Sequence, residues 1–337
     1  MAWHGLRVCA SASPLGGQCH CSSPRVLHSE VLRTGLHSNL FVTLPYTFSH
    51  DILSDQYLTA KHRYGYDPVM AYLDVYIPRV AEGLNIRVGR YISLPDIEAQ
   101  LAPDNLMYSH SLLYSYDPYT QTGIVATLKL TKNWIVQLEF SGGNDVAPWS
   151  PFTKPTPAAC LSWTSSSGGD NIYTCANTVN GGQYGYNNIN MFVATWYHKF
   201  DARWHIATEA WYMFENQVPS VFVPSNTFIV NANGAVCDPG QIQCYAPEYA
   251  IVNYLLYKTS PKDYLGLRNE IFNDLRGQRT LFKTIYTSHT VAWVHWFGDV
   301  ITIRPELRFE HSYATPAYDG GTKHNQFTAA ADFVFHY

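Results

Sequence analysis

The chain has 337 residues, a formal net charge of −4, 14% charged and 15% aromatic residues, and a mean hydropathy of −0.16. A soluble domain usually carries about 25% charge, a helical span needs roughly 18 or more consecutive apolar residues, and nucleic-acid binding needs clustered basic residues. None of these patterns is present in the sequence, which leaves strands that are apolar on one side only, since alternation covers a wall while diluting mean hydropathy.

Residues 1–35 read as an unstructured or mis-assigned leader, and 36–337 as a single barrel domain, short of its first strands if the start was lost. Export calls for a basic start and an apolar stretch of about 7–15 residues, whereas Met1 to Ser23 is broken by His4, Gly5, Arg7, Cys9, Pro14, Gly16 and Gly17. Asn39 to Phe48 then reads as a strand and His50 to Arg63 as a turn or incomplete hairpin. Val69 to Ile77 alternates with Asp74 on its polar side, and Leu84 to Val88 with Arg87. Pro95 to Asn105 reads as a long connection on the side where short turns belong, a helical turn folded into the lumen. Next, Ile124, Ala126, Leu128 and Leu130 oppose Thr127, Lys129 and Thr131, and Trp134, Val136, Leu138 and Phe140 oppose Gln137, Glu139 and Ser141.

Gly142 to Gln183 reads as a very long loop containing Cys160 and Cys175, and Asn216 to Pro247 as another containing Cys237 and Cys244. This spacing predicts two short-range disulfides, Cys160–Cys175 and Cys237–Cys244, of the kind formed in an oxidising compartment, with free thiols as the alternative. Tyr184 to Phe200 and Tyr249 to Lys258 are long enough to span but ambiguous in face, while Trp204 to Phe214 places His205 and Glu209 on a polar side. Leu265 to Ile271 does the same with Arg268 and Glu270. The clearest strand is Thr302 to Glu310, where Thr302, Arg304, Glu306, Arg308 and Glu310 alternate with Ile303, Pro305, Leu307 and Phe309. The last strand presents Phe327, Ala329, Ala331, Phe333, Phe335 and Tyr337 on one face.

Periodicity alone does not separate a bilayer barrel from a soluble sandwich, which also alternates. Connection lengths do, because outer-membrane barrels alternate short periplasmic turns with long external loops. Short turns are expected at Thr131 to Asn133, Asp201-Ala202, Ser260 to Asp263 and Gly298-Asp299, with long loops between them and at Asn273 to Thr280 and Ala314 to Lys323. Trp134, Trp196, Trp204 and Trp296 gather at the short-turn rim, as an interfacial aromatic girdle requires. The fold class expected is all-β: an antiparallel transmembrane β-barrel of about 12–14 strands.

Five stretches then carry a family resemblance: Arg63-Tyr64-Gly65-Tyr66-Asp67-Pro68, Arg87-Val88-Gly89-Arg90-Tyr91, Ser109-His110-Ser111-Leu112-Leu113, Gln121-Thr122-Gly123 and Arg304-Pro305-Glu306-Leu307-Arg308-Phe309-Glu310. In that order, from Arg63 to the C-terminus, the chain resembles the OmpL-like β-barrel porin family of bacterial outer membranes. The resemblance implies a transmembrane barrel with a pore role and supplies no catalytic residues.

Charges on the polar faces are then expected to line the bore: Asp74, Arg87, Lys129, Glu139, Glu209, Arg268, Glu270, Arg304, Glu306, Arg308 and Glu310. Lys or Arg at the lipid midplane costs about 2–4 kcal/mol, which places them inside. Phe333, Phe335 and Tyr337 resemble the terminal signal read by the outer-membrane assembly machinery. His198, His205, His289 and His295 lack the convergent partners a metal needs, so no metal and no cofactor are expected. Ser288 and His289 are strand neighbours that face opposite ways, which excludes a hydrolytic pair. The function expected is passive diffusion of small hydrophilic solutes or ions, with outer-membrane lipid around the barrel, no nucleic-acid partner and a homo-oligomer by analogy with trimeric porins. A non-conducting barrel with a scaffold or adhesion role is the alternative.

Overall fold

The computed structural model describes residues 70–336 except 95, 100–104, 147–152, 183, 185–187, 224–233 and 299, together with the backbone of four short strands upstream. The leader 1–35, Cys9, Cys19, Cys21 and Tyr337 lie outside the described residues.

Those four strands are β1 (His37–Thr43), β2 (Tyr46–Thr47), β3 (Leu58–Ala60) and β4 (Tyr64–Tyr66). After them run β5 (Met70–Ile77), β6 (Leu84–Ile92), a short helix α1 (Leu112–Tyr116), β7 (Thr120–Lys129), β8 (Trp134–Asn144), β9 (Thr156–Thr164) and β10 (Asp170–Asn177). The remainder is β11 (Asn190–Lys199), β12 (Trp204–Pro219), β13 (Gln243–Ser260), β14 (Asp263–Asp274), β15 (Thr284–Phe297), β16 (Ile301–Ser312) and β17 (Asn325–Phe335). One antiparallel sheet of 14 strands takes β1 and then β5 to β17 in chain order, while β2, β4 and β3 form a separate small sheet. Among the described residues, no pairing joins β17 back to β1.

From β5 to β17 every strand pairs with the next in the chain, so this part is a succession of hairpins, and their connections alternate in length. Residues 78–83, 130–133, 165–169, 200–203, 261–262 and 298–300 form one edge, and the longer 93–119, 145–155, 178–189, 220–242, 275–283 and 313–324 form the other. Local chemistry explains the short turns: at 200–203, Asp201 Oδ1 accepts the amides of Arg203 at 2.6 Å and Trp204 at 2.8 Å, the backbone-mimicking bond for which Asp is favoured in turns.

Two sequence expectations are corrected. Gly142 to Gln183 is not one loop but contains the hairpin β9–β10, whose central positions, Cys160 opposite Cys175, are disulfide-bonded. Small residues and a proline (Thr156-Pro157-Ala158-Ala159) weaken its apolar alternation, which is why a composition-based reading passes over it. Pro95 to Asn105 belongs to 93–119, a single connection from β6 to β7 that holds α1 and no strand among its described residues, and this puts it on the long-connection edge and not among the short turns; residues 95 and 100–104 lie outside the described residues.

Burial is inverted relative to a soluble protein. Arg268, Glu270, Arg304 and Glu306 are buried, whereas Leu138 and Phe140 are each 60% exposed. A sandwich would turn those charges to water and those apolar side chains to its core. A sheet with an apolar outer band and a polar inner face is instead the arrangement that suits lipid outside and a polar interior.

Candidate functional site

The inner face carries the charges singled out in the sequence. Asp74, Glu139, Glu209, Arg268, Glu270, Arg304, Glu306 and Glu310 are buried, and Arg87, Lys129 and Arg308 are partly buried on the same faces of their strands. The charges are brought together in pairs and held by contacts. Asp74 takes both Nε and Nη2 of Arg87, at 2.8 and 3.0 Å. Arg308 meets Glu310 at 2.7 Å, and Arg304 pairs with Asp332 on β17. Arg268 and Glu270 meet at 2.7 Å with no side-chain exposure on either.

Most of these side chains serve a second purpose: they hold the connection 93–119 against the inner wall. Arg268 Nη1 donates to Ser109 O at 2.5 Å and Nη2 to Ser109 Oγ at 2.9 Å. Glu270 Oε2 accepts the amide of Leu112 at 2.5 Å. Glu306 accepts both the amide of Ser109, at 3.2 Å, and its hydroxyl. Arg308 donates to His110 O at 2.9 Å, and Arg304 to Asn105 O at 2.8 Å. A connection folded inward carries backbone groups away from water, and each must find a partner there; ionised side chains supply short, strong ones.

The segment contributes partners of its own. Glu98 accepts the amide of Ser111 at 2.9 Å and the hydroxyl of Tyr254 at 2.5 Å, while Ile97 N donates to Glu209 Oε2 at 2.9 Å. Ser111 caps α1 by accepting the amide of Tyr114 at 3.1 Å, the N-cap bond expected of Ser. Met107 is wholly buried and seats over Gly266 on β14, where an added Cβ would stand 2.5 Å from the Met107 methyl, so glycine opens the notch into which this side chain fits. Toward the long-loop edge, Leu112, Tyr116, Phe272, Thr280, Phe282 and Tyr286 line a cavity of about 100 Å³. Sequence reasoning missed Glu98, Ser109, Tyr254 and Asp332. The Ser109-His110-Ser111 stretch was visible as a family motif, but nothing local showed which strands it would touch.

The other expected sites lie as follows. Trp134, Trp196 and Trp204 are exposed on the outer face near the short-turn edge, joined there by Trp163, whose ring centroid lies 6.3 Å from that of Trp134. Trp296 is exposed at the same edge, but the strand period puts it opposite Thr302 on the inward side of β15, and Trp293 is the outward tryptophan of that strand. Cys160–Cys175 is a buried bond between adjacent strands, and Cys237–Cys244 closes the turn leading into β13. Phe333 and Phe335 are exposed on the outer face of β17. His198 and His295 each contact an aspartate at 2.6 Å, Asp170 and Asp263 respectively, beside an exposed tryptophan, as interfacial side chains do. Ser288 is buried and His289 exposed, on opposite faces as alternation requires.

The family model described as "Putative beta-barrel porin-2, OmpL-like" matches residues 45–337. Among solved structures, the anion-selective porin from Comamonas acidovorans superposes with a TM-score of 0.53 at 7% identity, over 90% of this chain and 83% of that one. A BenF-like porin from Pseudomonas fluorescens Pf-5 does so with a TM-score of 0.50 at 9% identity, over 91% and 78%. These likenesses show the barrel fold. No curated protein matches the sequence.

Proposed function

The chain belongs to the OmpL-like family of outer-membrane β-barrel porins, and from that premise we propose a passive channel for small hydrophilic solutes or ions, its bore narrowed by the segment 93–119. The observation that carries this reading is the inner face itself, where ionised residues of both signs stand at positions that alternate with an exposed apolar outer band. Mixed charge along a watery path selects weakly, by transverse field and by size. The charges from Asp74 to Glu310 act in this reading as pore lining, and Glu209, Arg268, Glu270, Arg304, Glu306 and Arg308 act also as the clamp on 93–119. A channel of this kind needs no catalytic group.

Residues 36–337 act as one barrel domain in an outer membrane. The tryptophan girdle sits at the headgroup level of the leaflet facing the short turns, and the aromatic end of β17 serves insertion by the assembly machinery. Assembly as a homo-oligomer is the arrangement this reading favours.

The deciding experiment is single-channel recording of the refolded protein in a planar bilayer. Discrete conductance steps are expected. Silence from protein shown to be folded and inserted would overturn the reading in favour of a non-conducting barrel with a scaffold or adhesion role.

A further inference from the structure

The charges on β14 and β16 and those around Asp96 differ in one respect. On the wall, Glu270 has Arg268, Glu310 has Arg308, Glu248 has Arg279 and Asp74 has Arg87. By contrast, Asp96, Asp117 and Glu209 converge with no ion pair to a Lys or Arg among the described residues, and one carboxylate oxygen from each lies within 4.8 Å of the others. Like charges so close repel unless protons or a cation intervene. Glu209 adds an independent sign: it is 2% exposed, its Oε2 is taken by the amide of Ile97 at 2.9 Å, and its Oε1 has no hydrogen-bond partner. A buried carboxylate oxygen left without a partner calls for an explanation, and an ion is one of the few that fit.

We propose that Asp96, Asp117 and Glu209 form a binding site for a hard divalent cation of the calcium class, set inside the barrel between the inward segment and β12. The donor set is all oxygen, which suits a hard ion and not the softer metals that favour imidazole or thiolate. Oxygens bound to calcium stand about 2.3–2.6 Å from it, so no two of them are separated by more than roughly 5.2 Å, a limit that the three carboxylate oxygens, all within 4.8 Å of one another, meet. Asp96 is pre-oriented because its Oδ1 accepts the amide of Glu98 at 2.7 Å, and Asp117 is fixed in place as the C-cap of α1. Both are partly exposed while Glu209 is buried behind them, which gives an ion a path of entry. Because Asp96 and Asp117 lie near the two ends of 93–119, the bound ion ties both ends to the same strand. The site stands whether or not the barrel conducts.

Terbium luminescence on the detergent-folded full chain tests it, with excitation through Trp211, two residues from Glu209 on the same face of β12. The wild type is expected to give one saturable signal that calcium displaces. D96N, D117N and E209Q should each weaken terbium binding at least tenfold, and D238N, in a distant loop, should leave it unchanged. Folding of each variant is read from heat-modifiable migration, and D96N, altering a partly exposed residue, carries the test if E209Q fails to fold. Wild-type affinity in folded D96N and D117N, or no calcium-displaceable signal in the wild type, would overturn the proposal.

Discussion

Arg268 and Glu270 stand two positions apart on β14, both without side-chain exposure, and their 2.7 Å contact lies beneath the stretch from Ser109 to Leu112 that both of them also grip. A buried ion pair is a weak source of stability in itself, because desolvating two charges offsets most of their attraction. What justifies this one is the remaining hydrogen-bonding capacity. The guanidinium satisfies a carbonyl and a hydroxyl of Ser109 and the hydroxyl of Thr290, while the carboxylate satisfies the amide of Leu112. The pair thus turns wall charge into a fixed position for the connection 93–119.

Replacing Arg268 with Met roughly keeps the volume but leaves buried Glu270 with only the more distant Arg308, 3.9 Å away, as its cation, and breaking a buried pair costs up to about 3–5 kcal/mol. R268M is therefore expected to unfold at lower urea concentration in detergent and to show a larger, noisier conductance as the segment loosens. R268M/E270Q should recover part of the stability and none of the conductance. Wild-type conductance in folded R268M would show that the segment is anchored without this residue.

Ion selectivity gives a second prediction. Arg304 and Arg308 face Asp332, Glu306 and Glu310 along one inner face, so neutralising both leaves that face negative. R304Q/R308Q should move the reversal potential in a salt gradient toward cation preference. An unchanged reversal potential would remove these two residues from any selective role and leave them only as clamps on Asn105 and His110.

Much of this arrangement was legible in the sequence, for a physical reason. Thr302 to Glu310 alternates so strictly that its two faces follow from the strand period alone, and Trp134, Trp196, Trp204 and Trp296 mark one edge because indole favours an interface. The β9–β10 hairpin was not legible, since Pro157, Ala158 and Ala159 carry little side-chain signal and the two cysteines read equally well as loop residues. The clamp was invisible for a different reason. Ser109 and Arg268 are 159 positions apart, and nothing in a local pattern states which inward charge a distant backbone group will meet.

The Cys160–Cys175 bond closes a segment with a sequence separation of 15 between strands already joined by their ladder. In the chain-entropy account, a loop of about 15 residues is worth about 3 kcal/mol through the unfolded state. C160S/C175S should accordingly fold, insert and conduct while unfolding at lower denaturant, with a loss no larger than that figure. Peptide mapping without reductant should recover the linked 160 and 175 peptides from the wild type. Recovery of both as free thiols would show that the pleated pairing suffices to hold the hairpin.

Acid should act on the long-loop edge through Asp238. Its carboxylate takes both terminal nitrogens of Arg276, at 2.8 and 3.0 Å, and tethers the connection 220–242 to 275–283, where Val236 N also donates to Arg276 O at 2.6 Å. The Arg276 hydrogen bonds hold Asp238 below the usual carboxylate range. A depressed folded-state value means that the tether's contribution is present above the unfolded value near 3.8 and is lost as pH falls through the folded one. Because the group is exposed, solvent screening keeps the effect local to the loops. Hydrogen exchange in 234–242, corrected for the intrinsic pH dependence, should therefore be protected at pH 6 and lose protection below about pH 4. D238N should show the low-pH behaviour at both values. Equal protection in wild type and D238N at pH 6 would mean that the backbone bond from Val236 holds the loops together without the ion pair.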